Sequence, residues 1–231
     1  MLPDDAPKTI VRDYFETIVT CVIFVIFART FVFQQSKIPT GSMIPTLLVG
    51  DYIMVNKFAF APLSSVPGLA WVEHLLLPVR DLKRKDIVVF KYPEEPEKDY
   101  IKRVIGLPGE VLEVRNRQVY IDGKPLEEPY VIHRNPPGLN SDQDNYRPTR
   151  IPENSLFCMG DNRDNSKDSR SWGFVPRDYV KGRAFMIWWS YDEDSYAWQR
   201  TGFFEKIRAI WEKITHFFTK SRWERSFKII K

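Results

Sequence analysis

The chain has 231 residues, of which 43% are hydrophobic, 28% charged and 14% aromatic, a balance that excludes a disordered chain and a polytopic membrane protein. Two cysteines exclude a disulfide scaffold and a cysteine-built zinc site. The net charge of +4 belongs to the tail: residues 200–231 hold nine Lys/Arg against three Asp/Glu, so the remainder is slightly acidic and has no nucleic-acid footprint.

In chain order, residues 1–13 form a short N-terminal segment with Lys8 and Arg12. Residues 14–33 (YFETIVTCVIFVIFARTFVF) are predicted to be a membrane anchor: a charge-free centre at 17–28 with aromatic flanks, long enough as a helix to cross roughly 30 Å of hydrocarbon. Glu16 and Arg29 lie near the ends, where long side chains reach the headgroups. Bulky residues follow instead of a small-residue cleavage site, which reads as an uncleaved anchor. Lys8 and Arg12 before the span bias the N-terminus toward the cytoplasm and the body toward the outer face. Cys21 lies inside this apolar stretch, away from Cys158.

The body is predicted to be mainly β, in two parts at 34–111 and 156–200 around a smaller insert at 112–155. Runs rich in β-branched and aromatic residues fall at 52–56, 87–92, 100–106 and 184–189. Residues 111–115 and 118–121 flank Asn116-Arg117 as a hairpin, followed by the turn signal Asp122-Gly123. Residues 61–79 are apolar and Pro-interrupted, suiting either a surface that dips toward a bilayer or a buried excursion. Residues 127–152 are polar and Pro-rich and read as an insert or mobile arm. The tail, 201–231, carries Phe203, Phe204, Ile207, Trp211, Ile214 and Phe218 at helical spacing, a basic amphipathic helix suited to a membrane interface or to packing on the body.

The three histidines, His74, His133 and His216, have no metal-ligand spacing, and neither a GxSxG elbow nor a glycine-rich phosphate loop occurs, so no metal or organic cofactor is expected. A more promising nucleophile is Ser42, held between Pro39 and Pro45. It needs a base, and a lysine can serve when burial lowers its pKa. Lys102 is the lysine to test. Alternation along 100–106 puts Lys102 and Val104 on one face and Ile101, Arg103 and Ile105 on the other. Each face carries one charge, so the pattern leaves open which is buried.

At these residues the sequence resembles the bacterial type I signal peptidases, membrane-anchored serine proteases that remove signal peptides from exported proteins. Four blocks carry the likeness in the family's order: 38–51 (IPTGSMIPTLLVGD), 85–92 (KDIVVFKY), 102–110 (KRVIGLPGE) and 160–175 (GDNRDNSKDSRSWGFV). The resemblance implies a signal-peptidase-like β-fold, with Ser42 as nucleophile and Lys102 as general base. It implies an oxyanion hole from the Ser42 N–H and the Thr40 hydroxyl, Thr40 standing where the family commonly has serine. Ser166 would orient the lysine, and Asp161, Arg163, Asp168 and Arg170 would brace the site. Ile38, Met43, Leu47 and Ile101 are assigned to substrate pockets small enough to favour Ala-x-Ala before the cut. Three acids and three bases in 161–170 could balance within the loop, bracing the site without a net negative field on Lys102.

The implied partners are secretory preproteins and membrane lipids, with no nucleic acid; the sequence sets no oligomeric state. The implied location is the bacterial cytoplasmic membrane, single-pass, with the catalytic body outside. The tail is not part of the resemblance. A specialised Ser-Lys peptidase for pilin or conjugation substrates, and a signal-peptide-binding domain without catalysis, are the rival readings. Self-cleaving repressors share the chemistry but carry a DNA-binding module, and the anchor argues against them.

Overall fold

The computed structural model describes residues 10–27, 33–57, 81–138, 141–193 and 202–230. Within them lie strands β1 (Phe33–Lys37), β2 (Asp51–Asn56), β3 (Ile87–Lys91), β4 (Asp99–Gly106), β5 (Val111–Arg115), β6 (Gln118–Ile121), β7 (Lys124–Pro125), β8 (Tyr146–Arg150), β9 (Ser155–Met159), β10 (Val175–Pro176), β11 (Val180–Ser190) and β12 (Lys228–Ile229). The helices are α1 (Ile10–Phe27), α2 (Ser141–Asp144), α3 (Ser169–Trp172), α4 (Phe203–Thr215) and α5 (Phe217–Lys220). The large antiparallel sheet runs β1-β2-β11-β3-β4-β9-β10, with β12 added beside β11. The small one runs β7-β6-β5-β8. The body is mainly β, as the sequence predicts.

Period-two alternation explains the layering. On β3, Ile87 and Val89 enter an apolar cluster with Ile38, Met43, Leu47, Ile53 and Val55. Val88 and Phe90 enter another, with Val104, Leu156 and Cys158. Both faces of the large sheet are therefore covered at its centre, where β4 pairs with β3 in the register Val88↔Lys102 and Ile87↔Arg103. The expected hairpin forms at Asn116 (φ 47°) and Arg117 (φ 72°), both left-handed, the backbone that a two-residue turn matching strand twist requires. Asp122 (φ 49°) and Gly123 (φ 76°) repeat it between β6 and β7.

One expectation changes. Residues 127–152 are joined to the body: β8 pairs with β5, and Ile151 is buried with Leu112, Val114, Phe157 and Met159 between the two sheets. Pro148 hides this strand in the sequence, and its place at a sheet edge is where a residue without an N–H is tolerated. The anchor predicted over 14–33 is described only in part, because residues 28–32 lie outside the described residues. Within the described residues α1 is helical from Ile10 to Phe27, and Phe33 is extended in β1 opposite Asn56. Arg12, Asp13 and Glu16 occupy its first two turns, and among the described residues no helix is long and apolar enough to cross a membrane. The tail is helical as read, and Phe204, Ile207, Trp211, Ile214 and Phe218 of its stripe are exposed, the second of its two readings, packing on the body, not being met. Residues 61–79 lie outside the described residues.

Candidate active site

Ser42 sits in a short 3-10 turn, Gly41–Met43, within the loop joining β1 to β2. The base of that loop is closed by Ile38 N–H donating to the Asp51 carbonyl (2.8 Å) and Gly50 N–H to the Ile38 carbonyl (3.0 Å). Met43 and Leu47 turn into the core and carry no exposed surface, which fixes the turn by packing. Its other side is held by Asn162, whose N–H donates to the Ser42 carbonyl (3.1 Å) and whose amide donates to the Gly41 carbonyl (3.0 Å). Gly160 permits this approach, since a Cβ there would stand 2.5 Å from the Ser42 carbonyl oxygen and 2.3 Å from Ser166 Oγ.

Lys102 reaches the same place from the middle of β4. Its Nζ is 2.7 Å from Ser42 Oγ, with both side chains buried. Burial pushes the ammonium pKa down to about 8; Asp168, Cys158 and Asp161 pull the other way and lose. The pair opens onto a cleft of about 290 Å³ lined also by Pro39, Thr40, Tyr100, Ile101, Asn165 and Lys167. Among the described residues, no group of three or more His, Cys, Asp or Glu is placed to hold a metal.

Of the residues expected to brace the site, Asp161, Arg163 and Asp168 are buried and the Arg170 side chain is nearly so, but their partners differ from the internal balance expected of 161–170. Only Asp168 and Arg170 close within the loop, at 2.8 Å. Burial raises the Asp168 carboxyl, yet the Arg170 guanidinium and the Gly160 N–H outweigh it and hold the group below its ordinary value. Asp161 instead takes Arg103 at 2.7 Å and the Thr46 hydroxyl at 2.5 Å. Arg163 pairs with Glu128, Asp164 accepts from the Arg134 and Asn135 N–H groups, and Lys167 meets Glu94. The loop is neutralised by strands and turns around it, because buried charges take whatever opposite charge the fold brings near.

Thr40 and Ile101 lie at the cleft, but Ile38, Met43 and Leu47 are buried in the core cluster rather than lining it. The short 3-10 turn points Ser42 and Met43 in different directions, and the apolar side chain takes the interior. Ser166 is buried, and its hydroxyl forms no hydrogen bond to Lys102. Arg103, Thr46, Asn162 and Glu128 were missed. Arg103 lies on the strand face opposite Lys102, with its guanidinium 3.9 Å from the centre of the Tyr130 ring, and no sequence spacing announces partners 58 and 57 positions away.

The sequence profile of the family described as "Signal peptidase, peptidase S26" matches residues 11–189. The chain is 35% identical to Signal peptidase I of Pseudomonas aeruginosa over 213 residues, covering 78% of this chain and 73% of that one. It is 38% identical to Probable signal peptidase I-2 of Synechocystis, covering 75% and 71%. A crystal structure of a signal peptidase I from Enterococcus faecalis aligns with a TM-score of 0.38 at 31% identity, covering 45% of this chain and 97% of that one. The serine that meets a buried lysine therefore stands in a familiar sequence: the chain belongs to the signal peptidase family, peptidase S26, and is a serine peptidase of the signal peptidase I kind, hydrolysing peptide bonds.

Proposed function

We propose that the enzyme removes N-terminal signal peptides from exported preproteins with a Ser42-Lys102 dyad, cutting after small residues in an Ala-x-Ala pattern. The observation that carries this reading is the 2.7 Å approach of Nζ to Oγ in a buried setting that favours the neutral amine. Neutral Lys102 accepts the Ser42 hydroxyl proton as Oγ attacks the scissile carbonyl carbon. The developing oxyanion is received by the Ser42 N–H and the Thr40 hydroxyl. Lys102 then hands its proton to the leaving amine, and in the second step takes one from the water that hydrolyses the acyl ester. Asp161, Arg163, Asp168 and Arg170 hold the turn and strand in place, and Ile101 borders the substrate. The extended substrate lies along the cleft, with alternate side chains entering its pockets.

The same reading places the protein at the bacterial cytoplasmic membrane, the N-terminus inside and the body outside. It is supported by the exposed apolar side chains of α1 from Ile18 to Phe27 and by the Arg12–Glu16 pair at 2.8 Å, which offsets two charges at one end of the helix. Membrane lipids are the proposed partner of the exposed stripe on α4. Its opposite face, through Ala209, Glu212 and Lys213, borders Tyr191, Asp192 and Glu193 of the body.

The test is cleavage of a preprotein carrying an Ala-x-Ala site by purified full-length protein in detergent, with the cut located by mass spectrometry. One cut after the second alanine, absent in folded Ser42→Ala and Lys102→Ala, is the expected result. Activity persisting in Lys102→Ala would remove the dyad.

A further inference from the structure

The family match ends at residue 189, yet the chain continues and returns to the loop that carries Ser42. Resting on the peptidase reading, we propose that residues 216–230 form a strap that positions the nucleophile loop, with Arg222 and Arg225 as its positioning residues.

The strap is fastened at both ends. At one, Ser221 bridges to Tyr191, and Trp189 Nε1 donates to its hydroxyl at 2.9 Å. At the other, β12 pairs with β11 (Met186↔Ile229, Ile187↔Lys228), and Ile230 packs against the cluster that holds Ile38, Met43 and Leu47. Between these points two guanidinium groups face the loop. Arg225 donates to both carboxylate oxygens of Asp51, at 2.6 and 3.2 Å, and to the Thr46 carbonyl at 3.0 Å. Arg222 donates to the Val49 carbonyl at 2.5 Å, to the Tyr191 carbonyl at 2.8 Å and to Ser190 Oγ at 2.9 Å.

Asp51 joins the two halves of this arrangement. It has no exposed surface, closes the loop by accepting the Leu48 N–H at 2.8 Å, and also accepts the Ser190 hydroxyl. Its buried charge is met by Arg225, a fork that satisfies a carboxylate and a backbone carbonyl together. Gly50, at φ +86°, brings the loop so close to the segment after β11 that a Cβ there would stand 2.1 Å from the Tyr191 carbonyl oxygen. The loop is thus gripped on two sides: Asn162 holds Gly41 and Ser42, while Arg222 and Arg225 hold Thr46, Val49 and Asp51. The basic tail directs these two charges inward, where one fixes an acid of the nucleophile block.

Full-length wild type, Arg222→Ala, Arg225→Ala and Arg225→Lys, compared in detergent on one preprotein, test this. Arg225→Ala is expected to lower kcat at least tenfold with KM changed less than twofold. The acid limb of its pH profile stays in place, because Lys102 is untouched. Guanidinium chloride at tens of millimolar, well below denaturing levels, is expected to restore part of that kcat and to leave wild type unchanged. Arg225→Lys retains the charge on Asp51 but loses the fork, so its kcat falls between the two. Arg222→Ala removes the longer 3.8 Å approach of Arg222 to Asp51 but keeps the 2.6 Å pair with Arg225, and so tests the Val49 contact in a fold whose buried carboxylate is still matched; a threefold or greater loss of kcat is expected. Variants that unfold at lower temperature but keep wild-type kcat per folded molecule would overturn the strap and leave only a stabilising tail. Wild type that leaves the preprotein intact would overturn the peptidase reading and the strap with it.

Discussion

Lys102 enters the folded state at a cost that its proposed role as general base requires. Its pKa is pushed from an ordinary 10.5 down to about 8, mainly by burial. The neutral fraction that can accept the Ser42 proton therefore grows through about pH 8, and kcat is expected to rise with that midpoint in a pH profile. The linked stability has a definite sign. Below about pH 8 the folded state carries the full cost of a buried ammonium; between about 8 and 10.5 the unfolded chain binds more protons than the folded one, so this group's contribution to stability rises with pH. Lys102→Met is accordingly expected to abolish cleavage yet stabilise the fold at pH 6–7 by about 3 kcal/mol, at 1.36 kcal/mol per pKa unit. The gain should vanish above pH 10.5. Urea titrations at pH 6.5 and 10.5 check it: an equal effect at both pH values would mean that packing, not charge, decides the difference.

At the level of elements, β4 carries the decisive arrangement. Its alternation could not select a buried face, because Lys102 and Arg103 are both buried and each face is covered by a different cluster. The ion pair behind the dyad is therefore open to test. Arg103→Met leaves Asp161 buried without its guanidinium, a change expected to cost roughly 3–5 kcal/mol. Asp161 already acts to raise the Lys102 pKa, so an unmatched carboxylate should shift the acid limb of the activity profile to higher pH. A limb that stays put in a folded variant would show that this charge does not reach the lysine. Elements with strong local signals were legible in the sequence: the strand runs, the Asn116-Arg117 turn and the nucleophile and lysine blocks. Elements defined by distant partners were not. Strand β8 reads as a polar arm because only pairing with β5 makes it a strand, and Ile38, Met43 and Leu47 read as pocket residues because nothing local distinguishes a core side chain from one at a cleft. Arg225 and Asp51 are 174 positions apart, so charge patterning along the chain could describe the tail's basicity without revealing where it is spent.

For the whole molecule, the proposed membrane location raises the question of what covers the apolar tail. The chain enters the body at β1, where the Phe33 ring lies 5.8 Å from that of Phe185, and the Ile230 N–H donates to the Phe185 carbonyl at 2.9 Å. The start of the body and the end of the tail are thus neighbours across β11. From there the exposed aromatic and aliphatic residues of the tail continue: Phe227 and Trp223, then Phe218 and Phe217, then the stripe of α4. An apolar groove of about 480 Å³ lies among Trp189, Ile210, Ile214, Phe217 and Phe218. This much exposed apolar surface in one region of a folded body needs a cover, and the proposed membrane location makes lipid the expected one. The full-length enzyme in vesicles can be examined through Trp211, as the difference in fluorescence between wild type and Trp211→Phe. That difference is expected to be blue-shifted and quenched by lipids brominated near the headgroup end of their acyl chains. A Trp211 signal characteristic of water and untouched by the brominated lipids would separate the stripe from the membrane, and the apolar face would then have to meet protein.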